Sequence, residues 1–244
     1  MVIPLHDLNP TRRRAYITLL IIALNVVVYV VVQPHGGGQK EAEFPYEHAA
    51  IPCELKQGEP LNVVEYSTNH CGADSSRVPE FFPHKNVWLA VLFSMFLHGS
   101  LLHIGGNMLF LWIFGNNVED YLGKLGFILF YLFAGAAAMF SHVLYSPSSL
   151  TPVIGASGAI AGVMGMYIVL WPRARIVSLV PFLAFIPLPI PAVIVLGLWF
   201  GMQFLTGDDS GVAWVAHVGG FAAGALVGLA LKKVKAPVTA DHPG

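Results

Sequence analysis

The chain has 244 residues, of which 55% are hydrophobic and only 11% are charged, and its mean hydropathy is +0.65. These values are typical of a protein that crosses a membrane several times, and they exclude an ordinary soluble domain. The formal net charge of −1 provides no global positive field, so no nucleic-acid partner is expected.

The N-terminal residues 1–14 are polar and end in three arginines. We predict a cytoplasmic N-terminus, because basic residues flank membrane spans on the inner side. The apolar run at residues 15–32 is long for a signal peptide and is not followed by a small-residue cleavage site. It therefore predicts a retained first span, which opens a membrane domain over residues 15–235.

Residues 33–86 form a hydrophilic insert with few apolar residues, too long for a simple connection and too short for a separate domain. It contains the only two cysteines, Cys53 and Cys71. Since the insert is predicted to lie outside, where disulfides persist, we expect a Cys53–Cys71 bond. That bond would have a structural role only and would brace the insert. Two free thiols are the alternative, because sequence alone does not show that the pair is within bonding distance.

Five further spans are predicted, at residues 100–114, 125–145, 157–171, 192–205 and 212–231. An interfacial segment at 86–97 precedes the second span, and the polar residues 115–120 are expected to end it. Four prolines between residues 176 and 191 disfavour a straight helix and predict an interfacial hairpin. The tail at residues 236–244 is predicted to be disordered and cytoplasmic.

Six spans place both termini on one side of the membrane, and the basic residues near the span ends select the cytoplasmic side. The fold class predicted is an all-α polytopic membrane protein, a six-helix bundle with a long outer loop between spans one and two. We expect it in the cell (inner or plasma) membrane, with the lipid bilayer as its surroundings.

Four polar residues lie at a similar depth near the outer ends of their spans: His103, Asn107, Ser157 and His217. Ionisable groups are costly in a membrane and indicate a functional site. His103 and Asn107 are four residues apart and share a helix face. Ser157 and His217 each begin a stripe of small residues, so their helices can pack backbone to backbone. The predicted stripes are Ser157, Ala161 and Gly165 on one helix, and His217, Gly220, Gly224 and Gly228 on the other.

That packing would bring the Ser157 hydroxyl within hydrogen-bonding distance of the His217 imidazole. A serine beside an imidazole is an activated nucleophile with its general base. His103 and Asn107 could then donate hydrogen bonds to a developing oxyanion. A serine in a membrane helix can also act only in helix packing, and the neighbouring polar residues favour the catalytic interpretation here.

Three motifs together resemble the signature of the rhomboid intramembrane serine proteases. They are Gly155-Ala156-Ser157-Gly158, His98-x4-His103-x3-Asn107 and Ala216-His217-Val218-Gly219-Gly220-x3-Gly224. The resemblance covers spans two to six. The sequence departs from the family pattern where Trp88 is followed by Leu89 instead of arginine, and the insert is not part of that pattern.

The resemblance implies a Ser157–His217 dyad without an acidic third member. It also implies an oxyanion hole formed by the His103 and Asn107 side chains and the Ser157 backbone N–H, with His98, Gly155 and Gly158 in supporting positions. The implied activity is endoproteolysis of single-span membrane proteins near the outer face, with no cofactor and no metal. A rhomboid-like protein that binds membrane clients without cleaving them is the alternative, although every required position is filled.

Other protease classes fit less well. No HExxH motif is present, and His98 and His103, placed on one ideal helix, would be about 140° apart and would not share a face. Asp208 and Asp209 are predicted in a loop, which disfavours an aspartyl intramembrane protease. The G-x-S-x-G motif of soluble hydrolases fails at Ala159, and the absence of an inverted repeat disfavours a transporter.

Overall fold

The computed structural model describes residues 3–73, 78–180, 186–207 and 211–234. The predicted disordered tail and Asp208 and Asp209 lie outside these ranges. Within them the chain forms ten α-helices and three β-strands. In chain order these are β1 (Ile3–Asp7), α1 (Tyr16–Val27, continued by a π-helical turn at Val28–Val32), α2 (Gln39–His48), α3 (Pro52–Gln57), α4 (Val63–Thr68), α5 (Val87–Ser94), α6 (Leu101–Leu122), α7 (Lys124–Tyr145), α8 (Ser157–Leu170), β2 (Arg175–Val180), β3 (Ile186–Pro191), α9 (Ala192–Gln203) and α10 (Trp214–Lys232).

Helix α8 lies at the centre of the bundle, and every residue from Gly158 to Tyr167 is buried. In the described part of the chain, α7 and α10 are long and apolar enough to cross a bilayer. Shorter apolar helices occur at Tyr16–Val32, in α8 and in α9. Large apolar side chains are buried among these helices, whereas many on their outer faces are exposed, as lipid-facing helices require.

Helix α6 corrects the prediction that residues 115–120 end the second span. The helix continues to Leu122, and Gly123, with φ of 76°, ends it. Gly115 instead permits close packing, since a Cβ there would lie 2.9 Å from the Thr18 Cγ2 atom of α1. Glu119 is buried and its carboxylate accepts the Thr18 N–H at 2.7 Å and the Ile17 N–H at 3.0 Å. A polar stretch therefore remains helical because it caps α1, which has no side-chain cap of its own.

The predicted hairpin between residues 176 and 191 consists of two antiparallel strands, with Arg175 opposite Pro191 and Val180 opposite Ile186. Its turn, residues 181–185, lies outside the described residues. The N-terminal strand β1 pairs with β2 and completes a sheet of order β1-β2-β3. This pairing was not predicted, because a five-residue strand of mixed polarity carries no clear alternation.

The insert contradicts the expectation of a segment with few apolar residues to hold it together. The insert contains three short helices, of which α3 contacts α5 and α7 and α2 contacts α5. Ile51, Cys53 and Leu61 pack with Leu150 in a small core. Cys53 is bonded to Cys71, with their Cα atoms 5.9 Å apart.

A buried ion pair within the insert joins α3 to the segment just before α5. Lys85 Nζ lies 2.6 Å from Glu54 Oε2, and both side chains are only 2% exposed. Lys85 also donates to the Tyr46 carbonyl. Burial raises the pKa of Glu54 and lowers that of Lys85. A buried pair of this kind is costly to break on one side only, so it ties α3, and through the Tyr46 carbonyl also α2, to the segment that leads into α5.

Candidate active site

Ser157 is the first residue of α8, and His217 lies in the first turn of α10. The Ser157 Oγ atom is 2.8 Å from the His217 Nε2 atom. This distance is that of a good hydrogen bond between a hydroxyl and an imidazole nitrogen. The two residues are therefore positioned for proton transfer from the serine to the histidine.

Glycines bring α8 and α10 into backbone contact. A Cβ on Gly220 would lie 2.1 Å from the Gly158 carbonyl oxygen, and one on Gly224 would lie 1.8 Å from that of Gly162. On α10, the predicted stripe of small residues contacts α8 through Gly220 and Gly224. On α8 the contacting stripe is Gly158, Gly162 and Gly165, one position along from the predicted Ser157 and Ala161, because the closest approach needs glycine on both helices.

Gln203, at the end of α9, bonds the other nitrogen of the histidine. Its Oε1 atom lies 2.8 Å from His217 Nδ1, and its Nε2 atom donates to the Trp199 carbonyl at 3.0 Å. Sequence reasoning missed this residue. The sequence does contain one indication of its importance. Gln203 is the only amide in the apolar run at residues 192–205, and a polar residue in a membrane helix is costly.

His103 approaches the site from α6. Its Nδ1 atom accepts the Gly99 N–H at 3.3 Å, so a neutral imidazole carries its proton on Nε2. That nitrogen faces Gly155, where an added Cβ would lie 2.7 Å from His103 Nε2 and 3.5 Å from Ser157 Oγ. With φ of +124°, Gly155 also occupies a backbone conformation that side chains disfavour. Only glycine fits there, and it leaves the His103 donor open toward the site.

Asn107 lies one turn further along α6 and is 8% exposed. Its Nδ2 atom is buried and has no hydrogen-bond partner among the described residues. Asn107, His103, Ser157 and His217 all line one open cavity of about 480 Å³. The structure thus brings together all four residues predicted near the outer ends of their spans.

The backbone at Ser157 offers a further donor group. Helix α8 begins without a side-chain cap, so its first N–H groups have no side-chain acceptor among the described residues. The positive end of the helix dipole lies at the same place. Both features favour negative charge beside Ser157.

His98 corrects the prediction that it does not share a face with His103. It precedes α6, so ideal helical angles do not apply, and the two rings pack edge to face with centroids 5.1 Å apart. The His98 side chain is 1% exposed. Gln33, at the end of the first apolar helix, holds the His98 backbone through two hydrogen bonds of 2.9 and 3.0 Å. Gln33 was also missed by sequence reasoning.

The loop that leads to Ser157 is held by α5 and the insert. Gly155 N–H donates to the Ser94 carbonyl at 2.9 Å, and the Ser94 hydroxyl accepts the Ala50 N–H at 2.7 Å. Val153 N–H donates to the Ala50 carbonyl at 2.9 Å. The insert is therefore in direct contact with the segment that positions the serine.

One group of potential metal ligands is found among the described residues: Cys53, Glu65 and Cys71. Its two cysteines are bonded to each other and offer no thiolate to a metal ion. The group also lies in the insert, away from the residues that line the cavity.

The fold and site together define a helical membrane protein with a serine–histidine pair at the entry of its central helix. The family model of the Rhomboid domain matches residues 85–234. The chain therefore belongs to the rhomboid family, which confirms the resemblance seen in the three motifs.

Several named relatives are similar to this chain. "Rhomboid protease GluP" of Bacillus subtilis is 34% identical over 221 residues, which cover 90% of this chain and 35% of the relative. "Rhomboid protein 1, mitochondrial" of Saccharomyces cerevisiae is 29% identical over 157 residues, 59% of this chain and 42% of the relative. "Presenilin-associated rhomboid-like protein, mitochondrial" of Mus musculus is 36% identical over 88 residues, 35% of this chain and 23% of the relative. The matched segments thus span less than half the length of each of these relatives.

Proposed function

We propose that this chain is an intramembrane serine endopeptidase that cleaves transmembrane segments of single-span membrane proteins near the outer membrane face. The observation that carries the proposal is the 2.8 Å contact between Ser157 Oγ and His217 Nε2 inside the cavity. A serine used only in packing needs neither an imidazole base nor a cavity of this size.

In the proposed reaction, Ser157 Oγ attacks the carbonyl carbon of the scissile peptide and its proton passes to His217 Nε2. The carbonyl oxygen becomes an oxyanion, which accepts hydrogen bonds from His103 Nε2–H, Asn107 Nδ2–H and the Ser157 N–H. The C–N bond then breaks, and His217 returns its proton to the departing amine. A water molecule, deprotonated by His217, hydrolyses the acyl-enzyme and releases the serine.

The membrane arrangement is part of the same proposal. We place six spans in the bilayer, at α1 with its π turn, α6, α7, α8, α9 and α10, with residues 33–86 as an outer loop. The basic residues near the first and last spans support a cytoplasmic location for both termini, in the cell membrane. Ser157 and His217 would then lie toward the outer face, where water can enter the cavity.

Cleavage by the purified protein tests the proposal. The wild type would be incubated in proteoliposomes with a panel of tagged single-span substrates that carry small residues near the outer membrane face. We expect cleavage by the wild type and none by Ser157→Ala, His217→Ala or the double variant. The double variant should be no worse than either single one, since the two residues act as a unit.

Ser141→Ala is the matched control. Ser141 is another serine in an apolar helix, but its hydroxyl donates to the Ala137 carbonyl and it does not line the cavity. This variant should cleave like the wild type. Substantial cleavage by Ser157→Ala or His217→Ala would rule out the dyad. Substrate capture without cleavage by the wild type would instead support a rhomboid-like protein that binds membrane clients.

A further inference from the structure

We propose that Gln203 is a positioning residue that holds His217 in the tautomer required of a general base. It occupies the place that the acidic residue has in a catalytic triad. The inference rests on the proposed function of the Ser157–His217 pair. It assigns a role to a side chain outside the three motifs.

The hydrogen bonds around Gln203 determine which way its amide points. The Nε2 atom lies 3.0 Å from the Trp199 carbonyl, which can only accept, so Nε2 must be the donor end. The Oε1 atom therefore faces His217 Nδ1, at 2.8 Å. An amide oxygen cannot donate, so His217 Nδ1 must carry the proton.

That assignment fixes the state of the second ring nitrogen. A neutral imidazole with its proton on Nδ1 has an unprotonated Nε2, and this is the atom 2.8 Å from Ser157 Oγ. The chain of donors therefore runs from the Ser157 hydroxyl to His217 and from His217 to Gln203. In the other tautomer, Nε2 would carry a proton and could not accept one from the serine.

Burial explains why an amide suits this position. Gln203 is only 8% exposed, its amide contacts the His217 imidazole and the Trp199 backbone carbonyl, and the Trp199 indole ring packs against His217. A carboxylate in an apolar membrane helix would be costly without a permanent counter-charge. A neutral acceptor orients the histidine without that cost, and its anchor on the Trp199 carbonyl restricts its own rotation.

Two substitutions separate positioning from mere packing. Gln203→Met keeps the length and volume of the side chain but removes the acceptor. Gln203→Glu keeps an acceptor beside Nδ1, and in its protonated form it can still donate to the Trp199 carbonyl. Met202→Leu, on the neighbouring and partly exposed position of α9, is the control for general disturbance of the helix.

The measurements are kcat and KM for cleavage of one membrane substrate, the rate of covalent labelling of Ser157 by a fluorophosphonate, and the thermal midpoint in detergent. For Gln203→Met we expect kcat and the labelling rate to fall by roughly 10- to 100-fold. This is below or at the low end of the roughly 10²- to 10⁴-fold that general acid–base catalysis contributes, because the base is mispositioned and not removed. KM and the thermal midpoint should hardly change. Gln203→Glu should recover most of both rates, and Met202→Leu should match the wild type.

Wild-type rates for Gln203→Met would overturn the inference while leaving the proposed function intact. Equal losses in Gln203→Met and Gln203→Glu, together with a lowered thermal midpoint, would also overturn it, since they indicate packing alone. A wild type that neither labels nor cleaves would refute the proposed function itself, and the inference with it.

Discussion

Around Ser157 and His217, the polar side chains of the described residues that line the cavity or touch the pair carry no permanent charge. Gln203 and Asn107 are amides, and His103 is an imidazole whose proton position is set by the Gly99 N–H. A permanent charge would be costly in an apolar bundle. In the proposed reaction, charge would then develop at the site only as the oxyanion forms, when a preorganised donor is worth most.

Asn107 is predicted to act on the transition state. Replacing it with alanine should lower the cleavage rate by about 10²-fold or more, because one oxyanion donor is lost. Binding of an uncleaved substrate helix, measured in the Ser157→Ala background, should hardly change. Rates are measured by single-turnover cleavage and affinity by crosslinking or fluorescence. A collapse of affinity with normal turnover of bound substrate would make Asn107 a recognition or packing residue instead.

At the scale of elements, the α8–α10 pair and the insert determine where the site residues lie. The two helices meet through glycines whose missing Cβ atoms leave room for facing carbonyl oxygens. The insert holds the loop before Ser157 through Ala50 and Val153. A change in either contact would move the serine relative to its histidine.

Gly224→Ala should strongly destabilise the protein, because its Cβ would lie 1.8 Å from the Gly162 carbonyl oxygen and the helices would have to separate. Overpacking of this kind costs about 1–3 kcal/mol or more. The thermal midpoint in detergent and the rate of Ser157 labelling should both fall. Gly201→Ala is the matched control, since no atom lies within 4 Å of its added Cβ. Unchanged stability in Gly224→Ala would contradict the backbone contact.

The Cys53–Cys71 bond is predicted to brace the insert. Neither thiol should be alkylated before reduction of protein purified from oxidising membranes. Cys53→Ser should destabilise the insert by about 3 kcal/mol, the chain-entropy value for a loop of this length. Limited proteolysis within residues 33–86 measures that loss. Cys71→Ser should behave in the same way.

Cleavage activity should fall only in part in both cysteine variants, because the bond reaches the site indirectly, through the loop before Ser157. Cys53 N–H donates to the Ser149 carbonyl of that loop, and Ala50 contacts the same loop. Two thiols that react readily before reduction would remove the bond. Complete loss of activity on every substrate would show that the bond does more than brace.

At the scale of the whole molecule, the end of the bundle opposite the Ser157–His217 pair is closed by the sheet. The Tyr167 hydroxyl of α8 donates to Asp7 Oδ2 of β1 at 2.9 Å, and these two residues are 160 positions apart in the sequence. Nearby, Lys232 of α10 donates to the Val169 carbonyl. The central helix is thus anchored at one end by β1 and approached at the other by the insert.

Asp7 is predicted to make stability depend on pH. Burial raises its pKa from 3.8 to about 6, against the lowering effect of the Tyr167 hydrogen bond. The folded state therefore binds the Asp7 proton more tightly than the unfolded state. The stability due to this group is full below about pH 4 and is lost as the pH rises through about 6.

Asp7→Asn should remove this part of the pH dependence and raise the thermal midpoint relative to the wild type more at pH 7 than at pH 4. Thermal unfolding of both proteins across that range measures the difference. Parallel curves for the two proteins would show that Asp7 titrates normally.

Much of the candidate site was predictable, because its residues carry local signals. His103 and Asn107 share a helix face by their spacing, and the small residues after His217 indicate close packing against another small-residue helix. Gly155 and Ser157 lie in one short motif. Gln203 was not recognised, because its role depends on which ring nitrogen of His217 it meets, and that depends on how α9 packs.

The membrane class, the approximate helices and the pairing of Ser157 with His217 were predicted from the amino-acid sequence, since apolar length and small-residue spacing are properties of short stretches. The β1–β2 pairing, the length of α6 and the small core of the insert became visible in the folded chain alone, because each depends on contacts between distant segments. The folded chain also shows polar groups whose partners are distant in the sequence: Glu119 caps α1, Gln33 holds His98 and Asp7 accepts from Tyr167. A buried polar group must find a partner somewhere, but its own neighbourhood in the sequence does not say where.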